Sequence, residues 1–145
     1  MHKKIKIFII IIIICNFNEK LFSKENFFEE AKKLYESNEL TKSKFLFQRN
    51  IVFNPKDSES YLYLAKIYKS EEDEEEVEKN LDTSLLLKPD NEEALFMKIN
   101  IELKRSNFDM VKKLIINFEL ICSKLCKKTK SINESLKNIE AKDES

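Results

Sequence analysis

Two cysteines near the C-terminus carry most of the chemistry that this sequence offers. Cys122 and Cys126 are four positions apart, and Cys15 is the third cysteine of the chain. Residues i and i+4 of a helix lie about 6 Å apart at Cα, a distance that a disulfide can bridge where a helix end adapts. We therefore predict a structural disulfide between Cys122 and Cys126, with unpaired thiols as the alternative.

Other chemistry has little support in the residue types. The only histidine is His2, so a zinc site would lack ligands, and a thioredoxin-like site needs the shorter C-x-x-C spacing. The chain has no glycine, which argues against glycine-rich phosphate loops. The acidic residues 71–76 suit the first turn of a helix better than a calcium loop, with contact to a basic partner as an alternative. We predict that the protein is not an enzyme and binds no metal or cofactor.

The composition favours one helical domain without affinity for nucleic acid. The 145 residues suffice for a single domain. Abundant Lys, Glu, Leu and Ile with few helix-breaking residues favour helices. Basic and acidic residues number 26 each, which leaves no excess of positive charge to bind a phosphate backbone.

The N-terminal segment, residues 1–23, has the pattern of an export signal. Three lysines precede a continuous apolar run over residues 7–14, as in the basic and apolar regions of a secretory signal peptide. The run is about half as long as a membrane-spanning helix requires. We predict export to a bacterial periplasm, with cleavage after Ser23. The alternatives are an uncleaved inner-membrane anchor through residues 1–15 and a lipoprotein attached through Cys15.

The rest of the chain follows a pattern that repeats about every 34 residues. In its clearest copy, Tyr61, Leu64 and Tyr68 share one helix face, and Pro89 follows a second helix. Pro55 precedes Pro89 by one period, and proline disfavours helix in the residue before it, so each proline ends a copy. The positions that define the repeats are Ala31, Phe47, Pro55, Tyr61, Leu64, Ala65, Tyr68, Val77, Leu81 and Pro89.

This spacing closely resembles the tetratricopeptide (TPR) repeat, with its aromatic residue, large–small pair, second aromatic residue and closing proline. The resemblance implies an all-α fold of helical hairpins stacked as a right-handed solenoid, with repeats over residues 24–57, 58–91 and 92–125. The third repeat departs from the pattern, because Lys98 and Glu102 occupy positions expected to be buried. A rotated helix that buries Ile101 and Leu103 is the alternative there, and a generic helical bundle is the alternative fold.

A final amphipathic helix is predicted to close the stack. Ile132, Leu136 and Ile139 share one helix face, and Ser131 with Glu134 has the spacing of a capping box. A stack of repeats leaves an apolar end, which a terminal helix with a polar outer face covers. We predict this cap over residues 128–140, followed by a disordered tail over residues 141–145.

The resemblance also implies where a partner would bind. In TPR domains the first helices of successive repeats line a concave groove. The residues at the corresponding positions of this chain mix aromatic, apolar and cationic groups, which suits a peptide with acidic or C-terminal carboxylate features. These candidate groove residues are Phe28, Lys32, Tyr35, Tyr63, Lys66, Lys69, Phe96, Met97 and Asn100.

We therefore expect an exported TPR protein that serves as a protein–protein interaction or scaffold module in the cell envelope. A complete carboxylate clamp is not predicted, because Glu59 and Glu93 occupy sites next to the lysines of the groove. The alternative is a helical accessory subunit of an envelope enzyme or transport complex. Such a subunit would use its outer face or its capped end instead of the groove.

Overall fold

The computed structural model describes residues 26–143, which form seven helices and contain no strand. The predicted export signal, with His2 and Cys15, lies outside the described residues, as do residues 144 and 145. No helix between residues 26 and 143 has both the length and the hydropathy needed to cross a bilayer. The helices are α1 (Phe27–Glu36), α2 (Leu40–Phe53), α3 (Ser58–Ser70), α4 (Glu74–Leu87), α5 (Glu92–Lys104), α6 (Phe108–Ile121) and α7 (Lys128–Asp143).

The first six helices form three hairpins that stack in chain order. Within the hairpins α1 packs on α2, α3 on α4 and α5 on α6, and successive hairpins meet where α2 contacts α3 and α4 contacts α5. The last helix, α7, packs against α6 and α5. The structure thus confirms the predicted all-α fold of stacked helical hairpins with a terminal helix.

Small side chains allow the helices of a hairpin to approach closely. Ala31 and Ala65 have no exposed surface. The buried Ser43 hydroxyl donates to the Ala31 carbonyl at 2.8 Å, and the Ser84 hydroxyl donates to the Ser58 carbonyl at 2.9 Å, so these polar atoms are satisfied inside the core. Of the other repeat positions, Phe47, Leu64, Val77 and Leu81 are buried, Tyr61 and Tyr68 are half-buried, and Pro55 and Pro89 are exposed.

Each hairpin turns through a residue with positive φ, although none of these residues is glycine. The φ angles are 62° at Asn38, 60° at Glu72 and 55° at Ser106, and these positions are separated by the same interval as the two prolines. The N–H of the residue that follows each of them bonds to a carbonyl five residues earlier, at 2.8 to 3.1 Å, as in a Schellman C-cap. A residue with a side chain pays about 1–2 kcal/mol to adopt this left-handed conformation, so glycine would suit these turns better.

The acidic run begins α4, as the sequence predicts. Asp73 is the N-cap residue, and its carboxylate accepts the N–H of Glu76 at 3.2 Å. Residues 74–76 follow in the first turn. Negative charge at this end of the helix is stabilised by the unpaired N–H groups and the helix dipole.

Charged side chains replace apolar ones where the third hairpin meets the second. The Lys98 ammonium lies 2.6 Å from Glu78, 2.9 Å from Asp82 and 3.6 Å from Glu102. Arg105 also contacts Glu78, at 2.8 Å. The side chains of Lys98 and Glu102 are only 12% and 6% exposed, so this network is part of the interior.

α5 buries Glu102 and most of Lys98 as the repeat register predicts, and it also buries Leu103 and half-buries Ile101, which the alternative predicted. Burial lowers the pKa of Lys98, but hydrogen bonds to Glu78 and Asp82 outweigh burial and leave this pKa raised. Hydrogen bonds from Lys98 and Arg105 lower the pKa of Glu78. Lys98 therefore remains charged at neutral pH within the interface, where three carboxylates surround its ammonium group.

The terminal helix covers the apolar end of the third hairpin. Ile132 and Leu136 are buried against α5 and α6, and Ile139 packs beside them. The capping-box prediction was wrong, because α7 begins at Lys128 and Ser131 lies inside its first turn. There the Ser131 hydroxyl donates to the Lys128 carbonyl at 2.8 Å. The helix also extends to Asp143, beyond the predicted end at residue 140.

We predict that Glu72→Gly stabilises the protein by about 0.5–1 kcal/mol, because removing the left-handed strain outweighs the added freedom of the unfolded chain. Ser106→Gly should act in the same direction, and Asn38→Gly less, since asparagine tolerates this conformation. Urea unfolding measures the change. The control Glu75→Gly, inside α4, should destabilise by about 1 kcal/mol. A loss of stability in Glu72→Gly would contradict the turn geometry.

Lys98→Leu should destabilise the protein by about 3 kcal/mol, because it leaves three carboxylates together without their shared cation. The double variant Lys98→Leu/Glu102→Leu should recover most of that loss, since it restores apolar side chains like Leu64 and Leu34 at the equivalent positions. Thermal and urea unfolding of both variants test this. Lys104→Leu, at an exposed ion pair, is the control and should change stability by less than about 1 kcal/mol. A double variant no more stable than the single one would show that the network does not replace an apolar contact.

Candidate functional site

A groove of about 1020 Å³ lies between α3, α5 and the loops beside them, and Tyr35 near the end of α1 adds to its lining. Tyr35 of α1, Lys66 of α3 and Phe96 of α5 contribute to its walls, together with the loops around residues 88–91 and 123–125. The groove therefore lies on the side of the stack where the resemblance to TPR domains places a partner. Its lining comprises Tyr35, Glu59, Leu62, Lys66, Lys69, Lys88, Asp90, Asn91, Glu92, Glu93, Phe96, Met97, Ile121, Ser123, Lys124 and Leu125.

The structure brings five of the nine candidate groove residues together in this lining. The other four lie elsewhere on the first helices. Asn100 donates its side-chain N–H to the Phe96 carbonyl at 2.6 Å, and Lys32 is half-buried on α1. The five that line the groove are Tyr35, Lys66, Lys69, Phe96 and Met97, and the four that do not are Phe28, Lys32, Tyr63 and Asn100.

Phe28 and Tyr63 are engaged in packing between the first two hairpins. The Tyr63 ring stacks on Phe47 with centroids 4.9 Å apart, and it meets Phe28 and Tyr35 edge-on at 6.0 and 5.1 Å. Burial first, and then the nearby Glu93, raise the pKa of both Tyr35 and Tyr63. Their hydroxyl groups are therefore neutral hydrogen-bond donors at physiological pH.

Charges inside the groove are largely paired. The Lys66 ammonium lies 2.7 Å from Glu93 and 4.6 Å above the Tyr63 ring. Lys88 lies 3.4 Å from Glu59. Among the described residues, the ammonium groups of Lys69 and Lys124 form no ion pair within 4 Å, so the groove retains cationic groups that a ligand could use.

One end of the lining is held by a carboxylate that binds a loop. The Glu92 side chain, in the first turn of α5, accepts the N–H groups of Ser123 at 2.7 Å, Lys124 at 3.1 Å and Leu125 at 3.2 Å. These hydrogen bonds, that of Ser123 above all, lower the pKa of Glu92. No local pattern in the sequence marks this residue, because its partners are more than 30 positions away.

The predicted disulfide encloses the same loop. α6 ends at Ile121, and Cys122 takes an extended conformation that brings its Cα to 5.2 Å from that of Cys126. The two sulfur atoms are bonded. Residues 123–125 are therefore held at both ends by the disulfide and in the middle by Glu92, which makes this part of the groove wall rigid.

Within residues 26–143, no group of three or more His, Cys, Asp or Glu side chains is placed to hold a metal ion. The groove lining combines aromatic and aliphatic side chains and a thioether with four lysines and four acidic side chains.

Glu92→Gln should loosen the loop at neutral pH, because a neutral amide holds three N–H groups less well than a carboxylate. The pKa of Glu92 is lower in the folded protein than in the unfolded chain. Ionised Glu92 therefore stabilises the fold at pH values above its unfolded pKa, and this stabilisation is lost as the pH falls through its folded pKa. The variant should therefore be less stable than the parent at pH 7, with the difference vanishing in strong acid. Amide hydrogen exchange of residues 123–125 should also accelerate at pH 7. Glu30→Gln is the control, because it changes the net charge by the same amount. Equal amide exchange rates of residues 123–125 in the two variants would show that Glu92 does not hold this loop.

Comparison with known proteins finds no matching family model and no matching curated protein. The likeness to TPR repeats therefore rests on the residues and the helical hairpins described above, and membership of that family stays a prediction.

Proposed function

We propose that this protein is an exported interaction module whose concave groove binds a segment of a partner protein. One observation carries the proposal: residues from α1, α3 and α5 line a single groove of about 1020 Å³. A groove of this size accommodates several residues of a peptide. Because its lining comes mainly from the second and third hairpins, a partner would be selected by side chains of more than one repeat.

The lining suggests the chemistry of the bound segment. Phe96 and Met97 are half-buried and offer an apolar surface on α5. Lys69 and Lys124 supply ammonium groups, whereas Lys66 is already paired with Glu93. We therefore propose a segment with an apolar side chain for Phe96 and Met97 and a carboxylate for Lys69 or Lys124. Of the three lysines predicted for the groove, Lys69 keeps this role, Lys66 is paired and Lys32 lies outside the lining.

Export is supported by two independent features. The N-terminal segment has three lysines before an apolar run, as signal peptides do. The Cys122–Cys126 disulfide suits an oxidising compartment such as a periplasm. Intact mass of the protein isolated from its own cells reports both properties. Retention of residues 1–23 with all three cysteines as free thiols would contradict export.

A photo-reactive residue in the groove tests the proposed function. With p-benzoylphenylalanine in place of Met97, illumination of living cells should produce covalent adducts with a partner protein. Lys69→Glu/Lys124→Glu should reduce the adduct yield about tenfold or more, since two attractive contacts to a carboxylate become repulsive. Lys137→Glu, a charge reversal on exposed α7, should leave the yield unchanged.

A second position for the photo-reactive residue separates the two hypotheses. Ile116 is exposed on α6, away from the groove lining. Adducts from position 97 support the groove. Adducts of one stoichiometric protein from position 116 alone would contradict it and favour an accessory subunit that uses the outer face. An absence of adducts from position 97 would also overturn the proposal.

A further inference from the structure

A disulfide ring contains most of the connector between α6 and α7. α6 ends at Ile121 and α7 begins at Lys128, and the bond between Cys122 and Cys126 closes a ring over five of the six residues between them. The three residues inside the ring, at positions 123–125, all belong to the groove lining. The ring is therefore part of the proposed binding surface as well as a link between two helices.

The conformation of the ring is held by two contacts and not by residue types that end a helix. Residues 119–127 include neither glycine nor proline, yet Cys122 is extended, with φ −62° and ψ 141°. If α6 continued, the N–H groups of residues 123–125 would bond to carbonyls four residues earlier. They bond instead to the Glu92 carboxylate, at 2.7 to 3.2 Å. The disulfide and Glu92 together keep this stretch out of the helix.

We propose that the Cys122–Cys126 disulfide is a redox switch of the groove, in which a dithiol reductant opens the ring and releases Lys124 and Leu125 from the groove wall. The inference rests on the proposed function and adds a condition to it: the oxidised protein binds the partner, and the reduced protein binds it more weakly. Lys124 is one of the two groove lysines that form no ion pair within residues 26–143. Its release removes a contact to the carboxylate of the partner.

The two cysteines differ in their access to a reductant. Cys122 is half-buried and packs against the core of the third hairpin, whereas Cys126 is exposed. A thiolate of the reductant attacks the Cys126 sulfur, the S–S bond breaks, and Cys122 leaves as a thiolate that takes up a proton. The second thiol of the reductant then displaces Cys126 from the mixed disulfide. Two electrons and two protons pass to the cysteines, and the reductant becomes a disulfide.

Positive charge near Cys126 favours the reduced form. Lys124 and Lys127 lie in the connector, and Lys128 begins α7. Across residues 26–143 none of these three lysines forms an ion pair within 4 Å. Cys126 also precedes the first turn of α7, and its carbonyl accepts the Thr129 N–H at 3.0 Å. Nearby cations and a helix N-terminus both stabilise a thiolate, so Cys126 is a good leaving group in the second step.

Two carboxylates near the ring act against this effect only weakly. Glu92 meets the connector from α5, but its charge is already bound by three N–H groups. Glu119 lies on the side of the other cysteine, since the Cys122 sulfur is 3.9 Å from the Glu119 carbonyl oxygen. The charges closest along the chain to Cys126 are therefore those of the lysines.

Opening of the ring leaves the rest of the fold in place. A ring of five residues restricts the unfolded chain less than a longer ring does, so its contribution to stability is small. The terminal helix keeps its own apolar contacts, because Ile132 and Leu136 are buried against α5 and α6. The change on reduction is therefore local to the groove wall.

Amide hydrogen exchange of the full-length chain tests the switch without a partner. Cys15→Ser removes the third thiol, so that only the pair responds to dithiothreitol. Reduction should accelerate exchange at residues 123–125 about tenfold or more, because the opened loop spends less time bonded to Glu92. The Asn107 N–H, which bonds to the Glu102 carbonyl at 3.0 Å in the turn between α5 and α6, is the internal control and should not change.

Removal of the two cysteines provides the matched variant. Cys122→Ser/Cys126→Ser should exchange at the reduced rate both with and without dithiothreitol. Unchanged exchange at residues 123–125 on reduction would overturn the proposal. So would a disulfide that is reduced only when the whole protein unfolds, seen as loss of the helical circular dichroism signal together with faster exchange at Asn107.

Photo-crosslinking connects the switch to the groove. With p-benzoylphenylalanine in place of Met97, Cys122→Ser/Cys126→Ser should lower the adduct yield about threefold or more, since a partner must then order the released wall. Equal yields with and without the two cysteines would overturn the redox control and leave the proposed function standing. An absence of adducts in both chains would overturn the proposed function, and with it the control of binding, even where the exchange rates show that the ring opens.

Discussion

No hairpin of this protein buries its apolar residues without a neighbour, and the rest of the structure depends on that constraint. In the middle hairpin, Leu62, Ala65 and Leu81 form one core with Ala94 of the hairpin that follows. The third hairpin has no successor, and α7 takes that place with Ile132 and Leu136. At the opposite end, Glu30 is exposed where the first hairpin has no predecessor among the described residues. Stability is therefore shared among nearest neighbours along the stack.

The two junctions between hairpins are both contacts between neighbouring hairpins of the stack, but different interactions hold them together. Stacked and edge-on aromatic rings around Tyr63 join the first hairpin to the second. An ionic network around Lys98 joins the second to the third. The aromatic junction gains from burial of apolar area, whereas the ionic junction holds only while every charge keeps its partner. Both junctions align the first helices, so both determine the shape of the groove.

The groove lining and the exposed aliphatic side chains lie mostly on different helices of each hairpin. The first helices supply the groove lining, together with the loop that Glu92 and the Cys122–Cys126 disulfide hold. The second helices carry Val52, Leu86 and Leu120 on their exposed side.

Much of the fold could be predicted from the sequence, because the relevant signals are periodic or local. The repeat period predicted the hairpins, and alanine at positions 31 and 65 predicted where helices approach closely. Helix ends were less predictable. Glu72 adopts a left-handed conformation, but no glycine marks this position in the sequence. Ser131 is of a residue type that often caps helices, yet it lies inside α7.

The sequence by itself determined the helices, their period, the terminal helix and the proximity of Cys122 to Cys126. These features follow from residue types that recur along the chain or from residues close to one another in it. Only the tertiary structure decided which side chains face one another across helices. Lys98 is buried because Glu78 and Asp82 meet it from α4, and Tyr63 is withdrawn from the groove because Phe47 and Phe28 surround it. Glu92 holds a loop 31 to 33 positions away. Such contacts depend on how the helices pack. The periodicity of one helix shows which of its faces is buried, but it does not show which residues of other helices that face contacts.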